Sequence, residues 1–578
     1  MPTCFLIPQR RKLMMIAVSV ILVLAVCTAA AIANSAASSS SFSASSLKSS
    51  SSSSTLSSSN STKEFQVPNA VQVLCSLSDN RTVCESKLKD AVNSTSTPKD
   101  LVRATVAIIV DEVGKAFDHS DTIGTMAVKS AVEVCQKQVA ELNSALNAID
   151  AYHLNQLPEQ VHELKNWLSA AATYQETCID GFPDGEQKDK ILAAMTTAKQ
   201  LTCNALAIVG RLSSFLSLIK IGGGSSSRRL LAKDRLIEED GVPNWLRDGD
   251  VKQFLLGGAV KQLTPNVTVA KDGSGDLKTI SEALAKIPRS YNGRYLIYVK
   301  EGVYEEQVVV DTNMINVTMY GDGSRKSVIT GSKNFVDGTQ TSETATFAAI
   351  GNGFIAIAIG FQNTAGAAKH QAVALRVQSD RAIFLNCCIE AYQDTLYAYT
   401  HRQFYRGCVI LGTIDFIFGN AAAIFQNCIF SLRRPLDNQQ NVVLAQGRAC
   451  IYDDTGFVVH NSQFTAEPDL VAAVGKIPSY IGRPWKEFSR TVVMESDIGD
   501  FISPEGYMPW DGDFALKTLY YAEYGNRGAG ADTSKRVKWP GFKVISRNDA
   551  VNFTPTPFIQ GDDWIPQTGT PVRLGLYD

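Results

Sequence analysis

The sequence lacks several of the patterns that assign a function directly. Basic residues are not in excess, because 55 Lys and Arg stand against 57 Asp and Glu, giving a formal net charge of −2. Nothing in that balance predicts a nucleic-acid partner or attraction to a polyanion. No G-x-S-x-G motif occurs, so we interpret His370 and His401 as structural or groove residues and not as bases of a serine hydrolase. Cysteine and histidine also lack metal-ligand spacing, and we expect neither a metal nor a cofactor.

The N-terminal residues 1–34 have the pattern of a targeting segment. Three basic residues at 10–12 precede an uncharged, mostly apolar run at 13–33, which as a helix would span ~30 Å at ~1.5 Å per residue. A small-residue site at 31–33 suits signal cleavage, and a cleaved signal peptide and an uncleaved anchor both fit the pattern. In either case the chain after residue 34 lies outside the cytoplasm, so we predict a secreted protein. Six N-x-S/T sequons fit that compartment: Asn60, Asn80, Asn93, Asn266, Asn316 and Asn552.

Composition divides the following residues into two linkers and a helical region. Residues 35–65 are serine-rich with few apolar side chains, which is typical of a flexible linker. Residues 66–221 show apolar residues at three- and four-residue steps, and this predicts an all-α bundle of about four helices. Residues 222–265 form a second linker, in which Arg228-Arg229-Leu230-Leu231 is a candidate site for a processing protease, with a solvated charge cluster as the alternative.

Residues 266–570 change to short β-rich runs separated by Gly, Asn and Asp, and they contain an internal repeat. Similar segments begin at Phe384 (FLNCCI), Tyr405 (YRGCVI) and Phe425 (FQNCIF), with a weaker one at Val459 (VHNSQF). The first steps, of 21 and 20 residues, predict a β-solenoid with one coil per period, in which equivalent residues stack about 4.8 Å apart. Cys387, Cys408 and Cys428 would then form a ladder, in which either adjacent pair could form a disulfide.

The same register brings acidic side chains together. Asp394 and Asp415 are 21 residues apart, and Gln371 precedes Gln393 by 22, so we expect two carboxyls and two amides on adjacent coils. Two carboxylates about 5 Å apart repel by about 3 kcal/mol at an effective dielectric of about 20, a splitting of roughly two pKa units. One carboxyl then stays ionised as a nucleophile or base beside a proton donor. The alternative is that both aspartates lie in solvent-facing turns.

Five blocks of this region resemble the signature blocks of plant pectin methylesterases. In chain order they are GVYEE (302–306), QAVAL (371–375), QDTL (393–396), DFIFG (415–419) and IGRPW (481–485). Ile481 stands where that family usually has Leu, which is a conservative difference. The resemblance covers about 266–570 and implies a right-handed parallel β-helix that hydrolyses methyl esters of galacturonate units. The implied substrate is methyl-esterified homogalacturonan (pectin) of the cell wall, and the products are pectate and methanol.

The resemblance also implies the catalytic roles of five residues. Asp415 is the nucleophile on the ester carbonyl. Asp394 protonates the departing methanol and then activates water on the acyl-enzyme. Gln371 and Gln393 stabilise the oxyanion through their amide N–H groups, a role that needs no metal. Arg483 holds the Asp415 carboxylate ionised and aimed, as a guanidinium fork does well.

A further set of residues is implied to bind substrate. Gln371 and Arg483 belong to this set as well as to the catalytic one. Trp485 offers a flat apolar face for a sugar ring. Thr341, in DGTQTSETATF, matches a substrate-contacting position, and Tyr397 and Phe418 flank the aspartates as groove walls or core aromatics.

Residues 66–221 resemble the pectin methylesterase inhibitor family. The resemblance is carried by two cysteine pairs and by TYQETCIDGF at 173–182. The implied disulfides are Cys75–Cys84 and Cys135–Cys178 here and Cys408–Cys428 in the catalytic half, and Cys203 is left over. The resemblance implies an inhibitory pro-region that restrains the enzyme until cleavage at the dibasic site, with a folding aid as the alternative.

Two other functions compete with the esterase. A polygalacturonase or pectate lyase would also be a β-solenoid, but an inverting glycosidase needs carboxyls about 6.5–9.5 Å apart, wider than one coil step, and a lyase would be expected to need calcium. The second alternative is a non-enzymatic wall protein with a decayed solenoid. The intact set of Gln, Asp and Arg side chains argues against it.

Overall fold

The computed structural model describes residues 66–117, 126–182, 184–218 and 264–577. The predicted targeting segment 1–34, the serine-rich linker 35–65 and the dibasic site at 228–231 lie outside these residues. Among the helices of the described ranges, none combines the length and the apolar character that crossing a membrane requires.

The N-terminal part is a helical bundle. Its helices are α1 (Val67–Cys75), α2 (Arg81–Ala91), α3 (Pro98–Phe117), α4 (Met126–Ala151), α5 (Val161–Asp180), α6 (Glu186–Gly210) and α7 (Leu212–Leu218). The four long helices α3 to α6 pack in a ring, since α3 contacts α4 and α6, and α5 contacts the same two helices. Pro98 begins α3, where a missing N–H has no helical partner to lose. Thr97 and Asp100 cap that end with two hydrogen bonds. The Asp100 N–H donates to the Thr97 hydroxyl at 3.2 Å, and the Thr97 N–H donates to the Asp100 carboxylate at 2.8 Å.

The C-terminal part is built from short strands. In chain order they are β1 (Val267–Val269), β2 (Tyr295–Val299), β3 (Gly302–Glu305), β4 (Val308–Val310), β5 (Val317–Gly321), β6 (Ser327–Gly331), β7 (Phe347–Ala349), β8 (Ile355–Ile357), β9 (Gly360–Asn363), β10 (Leu375–Val377), β11 (Ala382–Leu385), β12 (Cys388–Glu390), β13 (Leu396–Ala398), β14 (Arg402–Arg406), β15 (Val409–Gly412), β16 (Ile417–Gly419), β17 (Ala422–Gln426), β18 (Ile429–Leu432), β19 (Asn441–Gln446), β20 (Gly456–His460), β21 (Gln463–Ala466), β22 (Ser479–Gly482), β23 (Arg490–Met494), β24 (Asp497–Ile498), β25 (Tyr520–Tyr524) and β26 (Phe542–Val544). Short helices accompany them: α8 (Ile280–Ala285), α9 (Pro468–Val471), α10 (Arg547–Ala550) and α11 (Pro555–Ile559).

These strands form three parallel sheets in the described chain. The eleven-stranded sheet has the order β1-β2-β5-β8-β11-β14-β17-β20-β23-β25-β26, the eight-stranded sheet runs from β24 to β3, and the seven-stranded sheet has the order β22-β19-β16-β13-β10-β7-β4. Each full coil therefore gives one strand to each sheet, as β13, β14 and β15 do. The fold is a helical bundle followed by a parallel β-helix, which confirms the fold class predicted from the sequence.

The sequence repeat corresponds to one coil of this β-helix. Phe384, Tyr405, Phe425 and Val459 are aligned partners on β11, β14, β17 and β20. The first three rings stack, with centroids 5.0 and 4.7 Å apart. The repeat is therefore the sequence trace of an aromatic ladder in the core.

A turn follows the ladder on each of these four coils, and its geometry explains the N-C and G-C pairs of the repeat. Asn386, Gly407, Asn427 and Asn461 take φ values of 53°, 61°, 54° and 47°. Asparagine and glycine tolerate this left-handed region better than other residues. The turn connects the eleven-stranded sheet to the eight-stranded sheet.

The cysteines agree with the sequence prediction only in part. Disulfides join Cys75 to Cys84 and Cys135 to Cys178. The pairing of Cys408 with Cys428 is wrong for this structure, because both are free thiols. They lie with Cys387 in the predicted ladder, buried inside the β-helix.

The sequence predicted no disulfide partner for Cys203. This prediction is wrong, because Cys203 forms a disulfide with Cys450. The two cysteines are 247 residues apart, so the spacing of neighbouring cysteines could not predict this pair. Cys203 lies in α6 of the bundle and Cys450 in the loop after β19, so the bond joins the two parts of the molecule.

Candidate active site

Asp394 and Asp415 occupy the same position on consecutive coils. Each precedes by two residues a strand of the seven-stranded sheet, and those strands pair Leu396 with Ile417. The Asp394 N–H donates to the carbonyl of Ile414 at 3.0 Å, so the pairing extends back to the aspartates. Their φ values are 62° and 47°, a left-handed conformation that aspartate adopts more readily than most residues. The coil therefore places both carboxyls side by side at one corner, as the 21-residue spacing predicts.

Both carboxyls are buried, at 8% and 6% relative exposure for Asp394 and Asp415, which excludes the alternative of solvent-facing turns in this structure. Burial raises the pKa of Asp394 well above its ordinary value, and the neighbouring Asp415 raises it further, against the opposing charge of Arg483. Burial also raises the pKa of Asp415, while the hydrogen bond and the charge of Arg483 oppose that rise. Asp415 is therefore the carboxyl of the pair that ionises first.

Arg483 reaches Asp415 from two coils away. It follows β22, whose Gly482 is aligned with Leu444 of β19, and its N–H donates to the Leu444 carbonyl at 2.9 Å. The guanidinium donates from Nε to Oδ1 of Asp415 at 2.8 Å and from Nη2 to Oδ2 at 2.5 Å. Its carbon lies 4.4 Å from the ring centroid of Trp510. One face of the guanidinium is thus fixed by an aromatic ring while its edge holds the carboxylate.

The two amides also lie on adjacent coils. Gln371 and Gln393 form a parallel bridge, which is offset by 22 residues. The strands that follow, β10 and β13, pair Leu375 with Leu396, an offset of 21. One extra residue between Gln371 and Leu375 accommodates the difference. Both amides line the same cavity as the carboxyls.

All of the residues that the sequence analysis assigned to catalysis or substrate binding line one cavity of about 680 Å³. They are Thr341, Gln371, Gln393, Asp394, Tyr397, Asp415, Phe418, Arg483 and Trp485. Two further aromatic residues of the β-helix line it, Phe335 and Trp510. The sequence analysis missed both, because each lies outside the signature blocks. Phe335 is 52% exposed and Trp510 37%, so they stand at the open rim.

Aromatic side chains form the floor of the cavity. Tyr397 and Phe418 are aligned on β13 and β16 and stack with centroids 4.3 Å apart. Tyr399 stacks on Tyr397 at the same distance, and Trp485 meets Phe418 edge to face at 6.0 Å. Such a surface suits the apolar faces of sugar rings. Tyr397 and Phe418 are therefore both groove and core residues. They line the groove of the β-helix, and the bundle buries them.

The bundle covers this floor with residues 173–182, the TYQETCIDGF stretch, which we call the groove-facing segment. Thr177, Asp180, Gly181 and Phe182 of this segment line the cavity. Tyr397, Tyr399 and Phe418 belong to the same apolar cluster as the core of the bundle. The segment therefore forms part of the wall of the cavity, and the bundle buries the aromatic floor.

Polar contacts fix the groove-facing segment to the β-helix. Thr173 accepts a hydrogen bond from Asn420 Nδ2 at 2.8 Å, and the Tyr174 hydroxyl accepts one from Gln378 at 3.0 Å. The Gly181 carbonyl accepts from Gln340 Nε2 at 3.3 Å. These contacts place the segment in one orientation across the groove.

Ion pairs add to the contact between the bundle and the β-helix. Glu163 of α5 receives two hydrogen bonds from Arg402, at 2.9 and 3.0 Å, and one from Arg381 at 2.7 Å. His401 lies against Glu141, with Nε2 and Oε1 3.3 Å apart. Of the two roles that the sequence left open for His401, structural or groove-lining, the structure supports the structural one, at the interface between the bundle and the β-helix. His370 is exposed and takes a φ of 55°.

Comparisons with known proteins agree with this geometry. The family model described as "Pectinesterase" matches residues 266–562, and the one described as "Plant invertase/pectin methylesterase inhibitor" matches residues 69–208. The chain is 46% identical over 529 residues to "Probable pectinesterase/pectinesterase inhibitor 13" of Arabidopsis thaliana, covering 90% of this chain and 84% of that protein. It is 45% identical over 457 residues to "Pectinesterase 3" of Citrus sinensis, covering 78% and 77%. Among solved structures it is similar to "Pectin methylesterase from Carrot", at 54% identity and a TM-score of 0.54, over 54% of this chain and 99% of that one.

Proposed function

Because this chain belongs to the pectinesterase family and carries an inhibitor-family region before its catalytic part, we propose a specific assignment of its catalytic groups. The protein is a pectinesterase, a carboxylic ester hydrolase that removes methyl groups from pectin. Asp415 is the nucleophile and Asp394 the proton donor. The observation that carries this assignment is the two-point hydrogen bond of Arg483 to Asp415, because it favours ionisation of that carboxyl over its neighbour.

The reaction proceeds in two halves. In the first, an Asp415 oxygen forms a bond to the ester carbonyl carbon, and the amide N–H groups of Gln371 and Gln393 stabilise the oxyanion. The bond from that carbon to the methoxy oxygen then breaks, and the protonated Asp394 gives its proton to the departing methanol. An acyl-enzyme anhydride and an ionised Asp394 remain.

In the second half, Asp394 removes a proton from water, and the resulting hydroxide attacks the acyl carbon. The bond to the Asp415 oxygen breaks, which frees the galacturonic acid group and returns both aspartates to their starting states. That acid group then loses its proton to solvent and becomes the carboxylate. The raised pKa of Asp394 suits this alternation, since the group must bind and release a proton at moderate pH.

Four aromatic residues and one hydroxyl are assigned to substrate binding. Tyr397, Phe418, Trp485 and Trp510 line the cavity with their rings, and Thr341 lines it as well. They would hold sugar rings while the ester reaches Asp415.

The helical bundle acts as an intramolecular inhibitor. Its groove-facing segment forms part of the wall of the catalytic cavity, and the bundle buries the aromatic floor, so the pectin chain is kept from lying along the groove while the segment is in place. A secretory-pathway protease that cuts at Arg228-Arg229-Leu230-Leu231 would begin its release. The apolar N-terminal segment 13–33 and the sequons support secretion to the cell wall.

The test is methanol release from methylated pectin by residues 232–578, with the full chain beside it. The fragment should release methanol without cutting the polymer and without need of calcium, and the full chain should be at least about tenfold slower. Asp415→Asn should abolish release in the fragment. Full activity in Asp415→Asn would overturn the assignment of the nucleophile, and chain cleavage would favour a glycosidase or a lyase.

A further inference from the structure

The groove-facing segment places two carboxylates on one lysine beside the cavity. Nζ of Lys486 donates to Asp180 at 2.9 Å and to Glu176 at 3.3 Å. Lys486 directly follows Trp485, which lines the cavity, and its Nζ lies 5.6 Å from that ring. Asp180 itself lines the cavity with Asp394 and Asp415.

One member of this acidic pair, Asp180, lines the cavity that an acidic substrate would enter. Pectin carries free carboxylates and methyl esters along one polymer, so an ester held at Asp415 brings the carboxyl groups of its neighbours along the groove. Arg483, the cation among the described residues that line the cavity, is occupied by Asp415. Lys486 loses both of its partners when the bundle leaves, and only 20% of its side chain is exposed while they are in place. A free ammonium would then remain beside the aromatic floor.

We propose that Lys486 binds the free carboxylate of a de-esterified galacturonate unit, and that Asp180 and Glu176 imitate this carboxylate in the inhibited chain. The inference rests on the proposed function and deepens it. It makes the enzyme prefer esters that neighbour a free carboxylate, so that each product unit favours reaction at the next.

The test compares pectins in the catalytic part alone, which the carrot structure shows to fold without a bundle, since 99% of that chain matches 54% of this one. Residues 232–578 carrying Cys450→Ser are assayed on fully methylated and on half-methylated pectin. Lys486→Gln should lower the ratio of kcat/KM on half-methylated over fully methylated pectin about three- to fivefold, through KM. The loss should shrink as salt is added, because the contact is an ion pair at the surface.

Two variants control for general damage. Lys486→Arg keeps the charge and should keep the ratio, and Lys476→Gln removes an exposed lysine elsewhere in the same part and should leave it unchanged. An unaltered ratio in Lys486→Gln, or a parent fragment that does not distinguish the two pectins, would overturn the proposal. A parent fragment that releases methanol from neither pectin would instead overturn the proposed function on which it rests.

A separate observation concerns how the bundle is released. The disulfide between Cys203 and Cys450 joins α6 to the loop after β19, with Cα atoms 5.9 Å apart. The dibasic site at 228–231 lies between the two cysteines in the sequence. A cut there opens the chain but leaves the bundle covalently attached to the catalytic part.

We propose that release of the bundle needs reduction of this disulfide as well as backbone cleavage. A thiol reductant supplies two electrons and two protons, its own two thiols become a disulfide, and Cys203 and Cys450 become free thiols. Cys203 is partly exposed, which gives a small thiol access to the bond, whereas Cys450 is buried. Cleavage without reduction would leave the groove covered.

The test uses the full chain, cut with a protease in the linker 222–265. On a denaturing gel without reductant the cut wild type should run as one joined species, and with reductant as two. The Cys203→Ser variant should run as two species in both cases, and after dilution it should release methanol without reductant. Wild-type halves that separate on the non-reducing gel would overturn the proposal. Separated halves without esterase activity would leave the covalent link standing and contradict the proposed function.

Discussion

Arg483 holds both oxygens of Asp415, although the two residues are 68 positions apart and belong to different coils. Nε and Nη2 each donate to one oxygen, so the carboxylate is fixed in orientation as well as in charge. Among the residues that the structure describes, the buried Asp394 has no comparable partner, and in the proposed mechanism this asymmetry separates the nucleophile from the proton donor.

Removing this guanidinium should therefore weaken Asp415 in its proposed role as nucleophile. Arg483→Gln should lower kcat of the catalytic fragment about a hundredfold or more. Because Arg483 holds the pKa of Asp415 down against burial, the acid limb of the pH–rate profile should move to higher pH in the variant. The measurement is methanol release against pH. A profile that keeps its acid limb would show that Arg483 does not act on the ionisation of Asp415.

Asp394 should set the opposite limb of the same profile. It must be protonated for the first half-reaction, and its pKa lies well above the ordinary value for aspartate of about 3.9. Activity should fall as pH rises through that raised pKa. Asp394→Asn should abolish the limb and lower kcat by about a thousandfold. If the residual activity of Asp394→Asn still fell at high pH, the alkaline limb would have to come from a group other than Asp394.

Gly419, the last residue of the DFIFG block, should tolerate no side chain. Its φ is +126°, and a Cβ there would lie 2.0 Å from the carbonyl oxygen of Ala398 on the neighbouring strand. Gly419→Ala should lower the free energy of unfolding by about 2–4 kcal/mol, measured by denaturant titration. The matched control is Gly475→Ala, where a Cβ meets nothing within 4 Å, and it should change stability by less than about 0.5 kcal/mol. Equal effects of the two would contradict the steric argument.

The hold of the bundle on the β-helix should weaken as pH rises above neutrality. Burial acts to lower the pKa of His401, but Glu141 and then Asp380 outweigh burial and raise it above 6.5, with Arg402 opposing them. A raised pKa in the folded state means that the stabilisation is complete below the unfolded value of about 6.5 and is lost as pH rises through the folded value.

The free energy of unfolding of the full chain, measured from pH 6 to 9, checks this. His401→Gln should make the fall over this range shallower without removing it, because the raised pKa values of the buried Asp394 and Asp453 also make stability decline as pH rises. His153→Gln, at an exposed position in the bundle, should leave the fall unchanged. A wild-type chain whose stability does not fall over that range would refute the role given to His401.

Much of the fold and of the site follows from the sequence, because a solenoid converts spacing into proximity. The steps from Phe384 to Tyr405 and Phe425 gave the coil, and the same step placed Asp394 beside Asp415. Most of the other site residues were assigned through the family resemblance, because they lie in the QAVAL, QDTL, DFIFG and IGRPW blocks, whereas Thr341 lies outside those blocks.

Features that depend on contacts between distant segments could not be predicted in this way. Cys203 and Cys450 approach only because the bundle docks on the β-helix, and nothing local in either segment indicates a partner. Trp510 lies 27 residues after Arg483, in a loop without repeat, and stacks on it through tertiary folding alone. The thiols of Cys408 and Cys428 had the right spacing for a bond, which shows that register permits a disulfide without requiring one.

The aromatic floor of Tyr397 and Phe418 serves the bundle as packing surface and is proposed to serve pectin as a binding surface. Affinity for the polymer and affinity for the pro-region are therefore not independent traits of this chain. A substitution that enlarges this aromatic surface and so binds sugar rings more tightly would also bind the bundle more tightly, and the enzyme would be harder to activate. Selection for tighter binding of pectin would therefore also slow the release of the bundle that activates the enzyme.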